Sequence, residues 1–224
     1  YRDEGYTVAE GAVSPDLLAT LQAELHGWVE ESRTRESGWG DTLNGYDRFD
    51  LEPGHTAARP RMRRVNNPSE IPAPWREASF DAPLADMVAD AIGPDVKFVH
   101  SKINLKMPGA ETVVGYHQDF AFVPHTNEDM LTALLMLDDM DAGNGGLEVV
   151  PGSHKEGLES LWQDGIFSGT VSAEARAGCE RRAVPISGPS GAVCLMAGHM
   201  LHASKANRSS RPRGLYINIY SAAD

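Results

Sequence analysis

The feature that most constrains how this chain can fold is a change of texture at Gly93-Pro94. Before that point, apolar residues recur at helical spacing. After it, they fall in short runs separated by turn residues. Residues 14–32 read as an amphipathic helix, with Ser14 as N-cap and Pro15 at the first helical position. Leu17, Leu18, Leu21, Leu25, Trp28 and Val29 supply its apolar stripe. A second helix is predicted from Pro83 to Ile92, stopped by Gly93-Pro94. Strands are predicted over Val96 to Lys106, Thr112 to Val123, Met130 to Leu137, Leu147 to Val150, Ala192 to Met196 and Leu215 to Tyr220. Asn144-Gly145 is a strong hairpin signal, and Pro151-Gly152 closes the next run. Short strands at this spacing suggest a sandwich or barrel, and no strand–helix alternation argues for a parallel sheet. Between Glu36 and Pro72 no period persists, which predicts a long loop of the functional or mobile kind.

At 224 residues the chain fits one large domain better than two, with a helical part to about residue 94 and a β core from about 95 to 224. Hydrophobic residues make up 41% and charged residues 23%, so a core of ordinary size needs no staples. The net charge of −12 argues against nucleic acid and anionic membrane as partners, since both need a basic face. Cys179 and Cys194 form no framework and read as reduced thiols, which places the expectation in the cytoplasm. No apolar run approaches a membrane span, and no signal peptide is visible after Tyr1, where the natural start is expected to be missing.

Chemistry concentrates in three places. In Tyr116-His117-Gln118-Asp119-Phe120, an extended run would put His117 and Asp119 on one face and Gln118 on the other. An imidazole and a carboxylate so placed can share a metal ion, although a short His-x-Asp also occurs as a plain surface pair. A third ligand must come from far along the chain, with His154, His199 and His202 as candidates. Two histidines and one carboxylate form the facial triad of iron(II) oxygenases, and zinc accepts the same set. Finally, Arg213 shares a strand face with Leu215, Ile217 and Ile219, where a charge needs a partner. That partner is either a bound carboxylate gripped by the guanidinium fork or an internal acid.

Taken together these residues resemble the phytanoyl-CoA dioxygenase family of iron(II)/2-oxoglutarate oxygenases. The resemblance runs from Glu4-Gly5-Tyr6-Thr7-Val8 through Ser101-Lys102-Ile103-Asn104-Leu105-Lys106 and His117-Gln118-Asp119. It continues through Gly143-Asn144-Gly145-Gly146-Leu147-Glu148-Val149-Val150-Pro151-Gly152-Ser153-His154-Lys155 and ends at His202-Ala203-Ser204, Asn207 and Arg213. It implies a mainly β fold with flanking helices and a double-stranded β-helix core, the jelly-roll or cupin-like arrangement. It implies iron(II) on His117, Asp119 and His202, with 2-oxoglutarate and dioxygen as cosubstrates. Arg213 would pair with the far carboxylate of 2-oxoglutarate, assisted by Ser204, while Asn104 and Lys106 would approach the cosubstrate or substrate. His154 and His199 would not be ligands. Retention of Asp119 favours hydroxylation over halogenation, with release of succinate and carbon dioxide.

The substrate is less legible. The 36–72 segment, with Trp39, Tyr46, Arg61, Arg63 and Arg64, and the 120–128 segment, with Phe120, Phe122 and His125, are expected to surround the pocket mouth. A small amino acid, carboxylate or specialised metabolite is the expected substrate. The rival readings are an oxygenase that desaturates, epoxidises or cyclises, a zinc-dependent cupin-like enzyme, and a non-catalytic jelly-roll binding module.

Overall fold

The computed structural model of the chain describes residues 1–71 and 73–223. Its strands in chain order are β1 (Tyr6–Ala9), β2 (Trp39–Asp41), β3 (Asp47–Leu51), β4 (Met62–Asn66), β5 (Val96–Lys106), β6 (Val114–His117) and β7 (Met130–Met136). They continue with β8 (Leu147–Val149), β9 (Trp162–Gln163), β10 (Ile166–Phe167), β11 (Val184–Pro185), β12 (Val193–Ala197), β13 (His202–Ser204) and β14 (Arg213–Ala222). The helices are α1 (Pro15–Ser32), α2 (Trp75–Phe80), α3 (Pro83–Ile92) and α4 (Ala173–Arg182).

An eight-stranded antiparallel sheet, ordered β1-β12-β7-β14-β5-β4-β3-β2, faces a four-stranded sheet, ordered β11-β8-β13-β6. This is the jelly-roll expected from the sequence. β14 is the spine of the large sheet, paired with β5 on one side and β7 on the other, and all ten of its residues are buried. Its alternation divides the core. Leu215 and Ile217 face the small sheet, packing with Leu134, Met136, Leu147 and Val149. Tyr216 and Tyr220 face the helices. There the Tyr216 hydroxyl donates to the Trp75 carbonyl at 3.0 Å and the Tyr220 hydroxyl to that of Ser79 at 2.7 Å.

The helices form as their sequences dictate. Ser14 caps α1 by accepting from Leu17 N at 3.2 Å, and Leu17, Leu21, Leu25 and Val29 are its buried stripe. α3 ends at Gly93, whose φ of 111° suits a residue without a side chain. α2 was not anticipated: it carries Trp75, fully buried and stacked on Trp28 at 5.3 Å. Nor was α4, whose only buried residue is Cys179, so no apolar stripe marks it in the sequence.

Two sequence expectations are corrected. The 36–72 segment is not a structureless loop: β2, β3 and β4 extend the large sheet beyond β5, with Val65 opposite Ile103. These strands are three to five residues long and rich in Arg and Asp, so no apolar alternation betrays them. Asn144-Gly145 makes no hairpin. It carries the chain from β7 in one sheet to β8 in the other. The Asn144 side chain donates to the Asp139 carbonyl at 2.7 Å and accepts from Asp141 N at 3.0 Å, which closes the loop on itself.

Candidate active site

The two sheets part on one side to leave a cavity of about 470 Å³. Its floor is one face of the large sheet: Arg64 from β4, then His100, Lys102, Asn104 and Lys106 from β5. Arg213, Leu215, Ile217 and Ile219 from β14 complete it. Its roof carries His117, Asp119 and His202. β6 and β13 are neighbours in register, His202 opposite His117, which brings residues far apart in sequence side by side.

β6 stops at His117, short of the strand end expected at Val123. Asp119 begins a 3₁₀ turn, but Gln118 keeps extended dihedrals (φ −122°, ψ 129°), so the alternation holds over the three residues that matter. Gln118 points away, its amide donating to the carbonyls of His199 at 2.7 Å and Gly157 at 2.8 Å. Asp119 Oδ1 lies 3.7 Å from His117 Nε2 and 3.8 Å from His202 Nε2. One ligand atom from each residue falls within 4.8 Å of the others.

Each side chain is aimed by a second contact. His117 Nδ1 sits 2.9 Å from the Gly115 carbonyl, and His202 Nδ1 3.0 Å from that of Met200. A carbonyl only accepts, so Nδ1 carries the proton and the lone pair of Nε2 faces the centre. Thr132 donates to Asp119 Oδ2 at 2.7 Å, leaving Oδ1 toward the imidazoles. Burial pushes the Asp119 carboxyl up, but the His202 and His117 rings and the Lys102 ammonium outweigh it and hold the carboxyl below its usual range. Burial, with His117 beside it, takes His202 down to about 4, so it is neutral at pH 7. Two imidazoles and one carboxylate, all preoriented, suit a divalent cation of the iron or zinc kind.

At one end of the cavity lies Arg213. It is 2% exposed, yet among the described residues no carboxylate lies within ion-pair distance of it. Its Nε and Nη2 donate to the Gly145 carbonyl at 3.2 and 3.0 Å, and Nη1 to the Asn104 carbonyl at 3.1 Å. The internal-acid reading of Arg213 therefore gives way to that of a cation held ready by carbonyls. Lys106 stands opposite it in register, its ammonium donating to Ser204 Oγ at 2.7 Å and to the Lys205 carbonyl. Burial and the neighbouring guanidinium bring Lys106 down to about 7. Two buried cations and a hydroxyl, on which Asp138, Glu52 and Glu148 act only from beyond ion-pair distance, fit a carboxylate cosubstrate.

Asn104, Lys106, Ser204 and Arg213 are thus brought to one cavity with the His-Asp-His trio. His154 and His199 are not: His154 Nε2 lies 3.2 Å from the Arg2 carbonyl, and the His199 ring packs against Phe120. Arg63, Arg64 and Phe122 line the cavity, whereas Trp39, Tyr46, Arg61, Phe120 and His125 do not. Phe120 packs instead with Met130 and Ile219. Sequence reasoning passed over Thr132, His100 and Lys102 as site residues. The alternation of β5, which already placed Asn104 and Lys106 on one face, was the signal for the last two.

A jelly-roll with this trio and this buried arginine defines an iron(II)- and 2-oxoglutarate-dependent dioxygenase. Comparison with known proteins agrees: the family model described as phytanoyl-CoA dioxygenase matches residues 1–215, and the chain belongs to that family. The probable alpha-ketoglutarate-dependent hypophosphite dioxygenase of Stutzerimonas stutzeri is 29% identical, over 100% of this chain and 77% of that protein. The 2-aminoethylphosphonate dioxygenase of uncultured bacterium HF130_AEPn_1 is 30% identical, over 99% of this chain and 79% of its own length. The crystal structure of EctD from S. alaskensis with bound Fe shares the fold, with a TM-score of 0.76 at 22% identity. It covers 98% of this chain and 73% of that one. Among the described residues no helix is long and apolar enough to cross a membrane.

Proposed function

We propose that the chain, as a single domain over residues 1–224, hydroxylates a small molecule. In this reading His117, Asp119 and His202 hold iron(II), and Arg213, Lys106, Ser204 and Asn104 receive 2-oxoglutarate. The overall reaction converts R–H, dioxygen and 2-oxoglutarate to R–OH, succinate and carbon dioxide. Iron(II), when bound, supplies the dioxygen chemistry. The protein's part is placement. Arg213 and Lys106 fix the far carboxylate, Thr132 and the two backbone carbonyls aim the ligands, and the apolar Leu134, Leu215 and Ile217 keep water from the space between.

The observation that carries this reading is Arg213: a buried guanidinium with no carboxylate in ion-pair distance among the described residues, Asp138 acting on it only from farther off, and opening into the cavity that the trio roofs. A metal alone gives no reason for it, whereas a dicarboxylate does. Cytoplasmic action fits as well, since Cys179 and Cys194 are both buried and unbridged. With a net charge of −12 and its unpaired cations turned into the cavity, the chain suits a small-molecule partner rather than nucleic acid. The test is anaerobic titration of the metal-free protein with iron(II) and 2-oxoglutarate, followed by the visible charge-transfer band of the chelate. The band is expected in the wild type, lost in His117→Ala and weakened in Arg213→Ala. A well-folded wild type that shows no band and binds no 2-oxoglutarate would end this reading.

A further inference from the structure

The cavity holds more positive charge than the proposed cosubstrate can use. Besides Arg213 and Lys106, it is lined by Arg63, Arg64 and Lys102, with His100 beside them, and its lining contains one acid, Asp119. Arg63 is spoken for by Asp50. That pairing removes from Arg64 the acid that stands directly opposite it on β3. Among the described residues Arg64 makes no ion pair or hydrogen bond, and its buried Nε has no partner. Lys102 likewise has none. Loss of solvent is the main cause lowering the pKa of both, an unfavourable state that persists only if something compensates it.

Register puts these two cations together and away from Arg213. Arg64 lies opposite Asn104 and Asn66 opposite Lys102, so Arg64 and Lys102 are diagonal neighbours on one sheet face. Lys102 is four residues from Lys106 along β5, about 13 Å at strand rise. The charges can be counted with the proposed groups in place. The two charges of the metal, one of them met by Asp119, and those of Arg213 and Lys106 face the 2-oxoglutarate dianion, which has no negative charge to spare for Arg64 and Lys102. Arg64 and Lys102 remain without an ion pair among the described residues, Asp50 and Asp119 acting on them only from beyond that distance, two positive charges in a chain whose net charge is −12.

We propose that Arg64 and Lys102 form the cradle for the anionic head of the substrate, and that this head is a doubly charged phosphorus oxyanion of the phosphonate type. The count of two favours a dianion over a monocarboxylate. A guanidinium fork beside an ammonium suits a tetrahedral oxyanion, which presents oxygens to both at once. The inference deepens the dioxygenase reading and rests on it for the word substrate. Two relatives aligned over nearly the whole chain are named for phosphorus compounds, hypophosphite and 2-aminoethylphosphonate, of which only the second carries a phosphonate that reaches the doubly charged form, hypophosphite being a monoanion.

The test is calorimetric titration with methylphosphonate above its second ionisation, with acetate and the uncharged dimethyl methylphosphonate as comparators. It is run on the anaerobic iron(II)–2-oxoglutarate protein and again on metal-free protein, so that the cradle is read even where no charge-transfer band forms. Methylphosphonate is expected to bind at least roughly tenfold tighter than acetate, and the ester not at all. Arg64→Gln and Lys102→Met should each weaken methylphosphonate about tenfold or more while the 2-oxoglutarate band persists. Lys102→Arg, which keeps the charge, should retain binding and so separates loss of charge from loss of fold. The proposal is overturned if acetate or the ester binds as well as methylphosphonate. It is also overturned if both neutral variants bind methylphosphonate like the wild type, or if either abolishes the band, which would assign that cation to the cosubstrate.

Discussion

Thr132→Val separates the part of Asp119 that belongs to folding from the part that belongs to the metal. Thr132 is fully buried, and its hydroxyl gives the only side-chain hydrogen bond to Asp119 Oδ2 among the described residues. Valine keeps the shape and removes the donor, stranding a buried carboxylate oxygen. A hydrogen bond to a charged group contributes about 1.5–3 kcal/mol, so the metal-free variant should lose about that much unfolding free energy and melt at lower urea. This loss is common to the metal-free and metal-bound states and cancels in the affinity. What does not cancel is orientation. Without Thr132 the carboxylate can rotate, and Oδ1 is no longer held 3.7 and 3.8 Å from the two Nε2 atoms. Loss of such a supporting contact typically weakens metal binding roughly 10–100-fold. The assay is anaerobic competition for iron(II) against a chelator of known affinity, beside urea melts of the metal-free proteins. A variant that loses stability as expected but binds iron(II) within about twofold of the wild type would refute the claim that this hydroxyl positions the carboxylate.

Two further perturbations probe the cosubstrate end. Lys106 is lowered to about 7 by burial and by Arg213. A dianion set beside it favours the charged form, so binding of 2-oxoglutarate near pH 8 should take up a proton and weaken as pH rises. Calorimetry in buffers of different ionisation enthalpy reads this uptake, which Lys106→Met should abolish; uptake unchanged in the variant refutes the role. For folding the sign is the same as for any lysine brought below its free value. Between about pH 7 and the ordinary lysine range the unfolded chain holds the extra proton, so Lys106 lowers stability below that window and ceases to do so above it. Gly145→Ala should damage the Arg213 cradle. Gly145 has a φ of 76°, and a Cβ there would meet the Lys205 carbonyl at 2.7 Å and Lys106 Cδ at 2.8 Å. We expect 2-oxoglutarate affinity to fall about tenfold or more while iron(II) affinity stays nearly unchanged, since the trio lies elsewhere. Equal losses of both would refute the separation.

What the sequence determined by itself is local or periodic. The N-cap and leucine stripe of α1, the Gly-Pro stop of α3 and the long apolar run of β14 each follow from nearest-neighbour physics, and the structure reproduces them. The His117-Asp119 pair was legible for the same reason, because two residues apart in extended backbone means one face. The identity of the third partner was not, since His202 joins them through the register of β13 against β6, a pairing that closes over many intervening residues. Arg213 could be seen to need an anion, but whether an internal acid supplied it depended on what stood across the fold. The structure places Lys106 there, with backbone carbonyls from Gly145 and Asn104. The strands β2 to β4 were hidden because they are three to five residues long and rich in Arg and Asp, with no apolar alternation to show. The unpaired state of Arg64 and Lys102 is likewise tertiary. Asp50 stands opposite Arg64 in register yet pairs with Arg63, and only the folded sheet decides which of two adjacent arginines the acid serves.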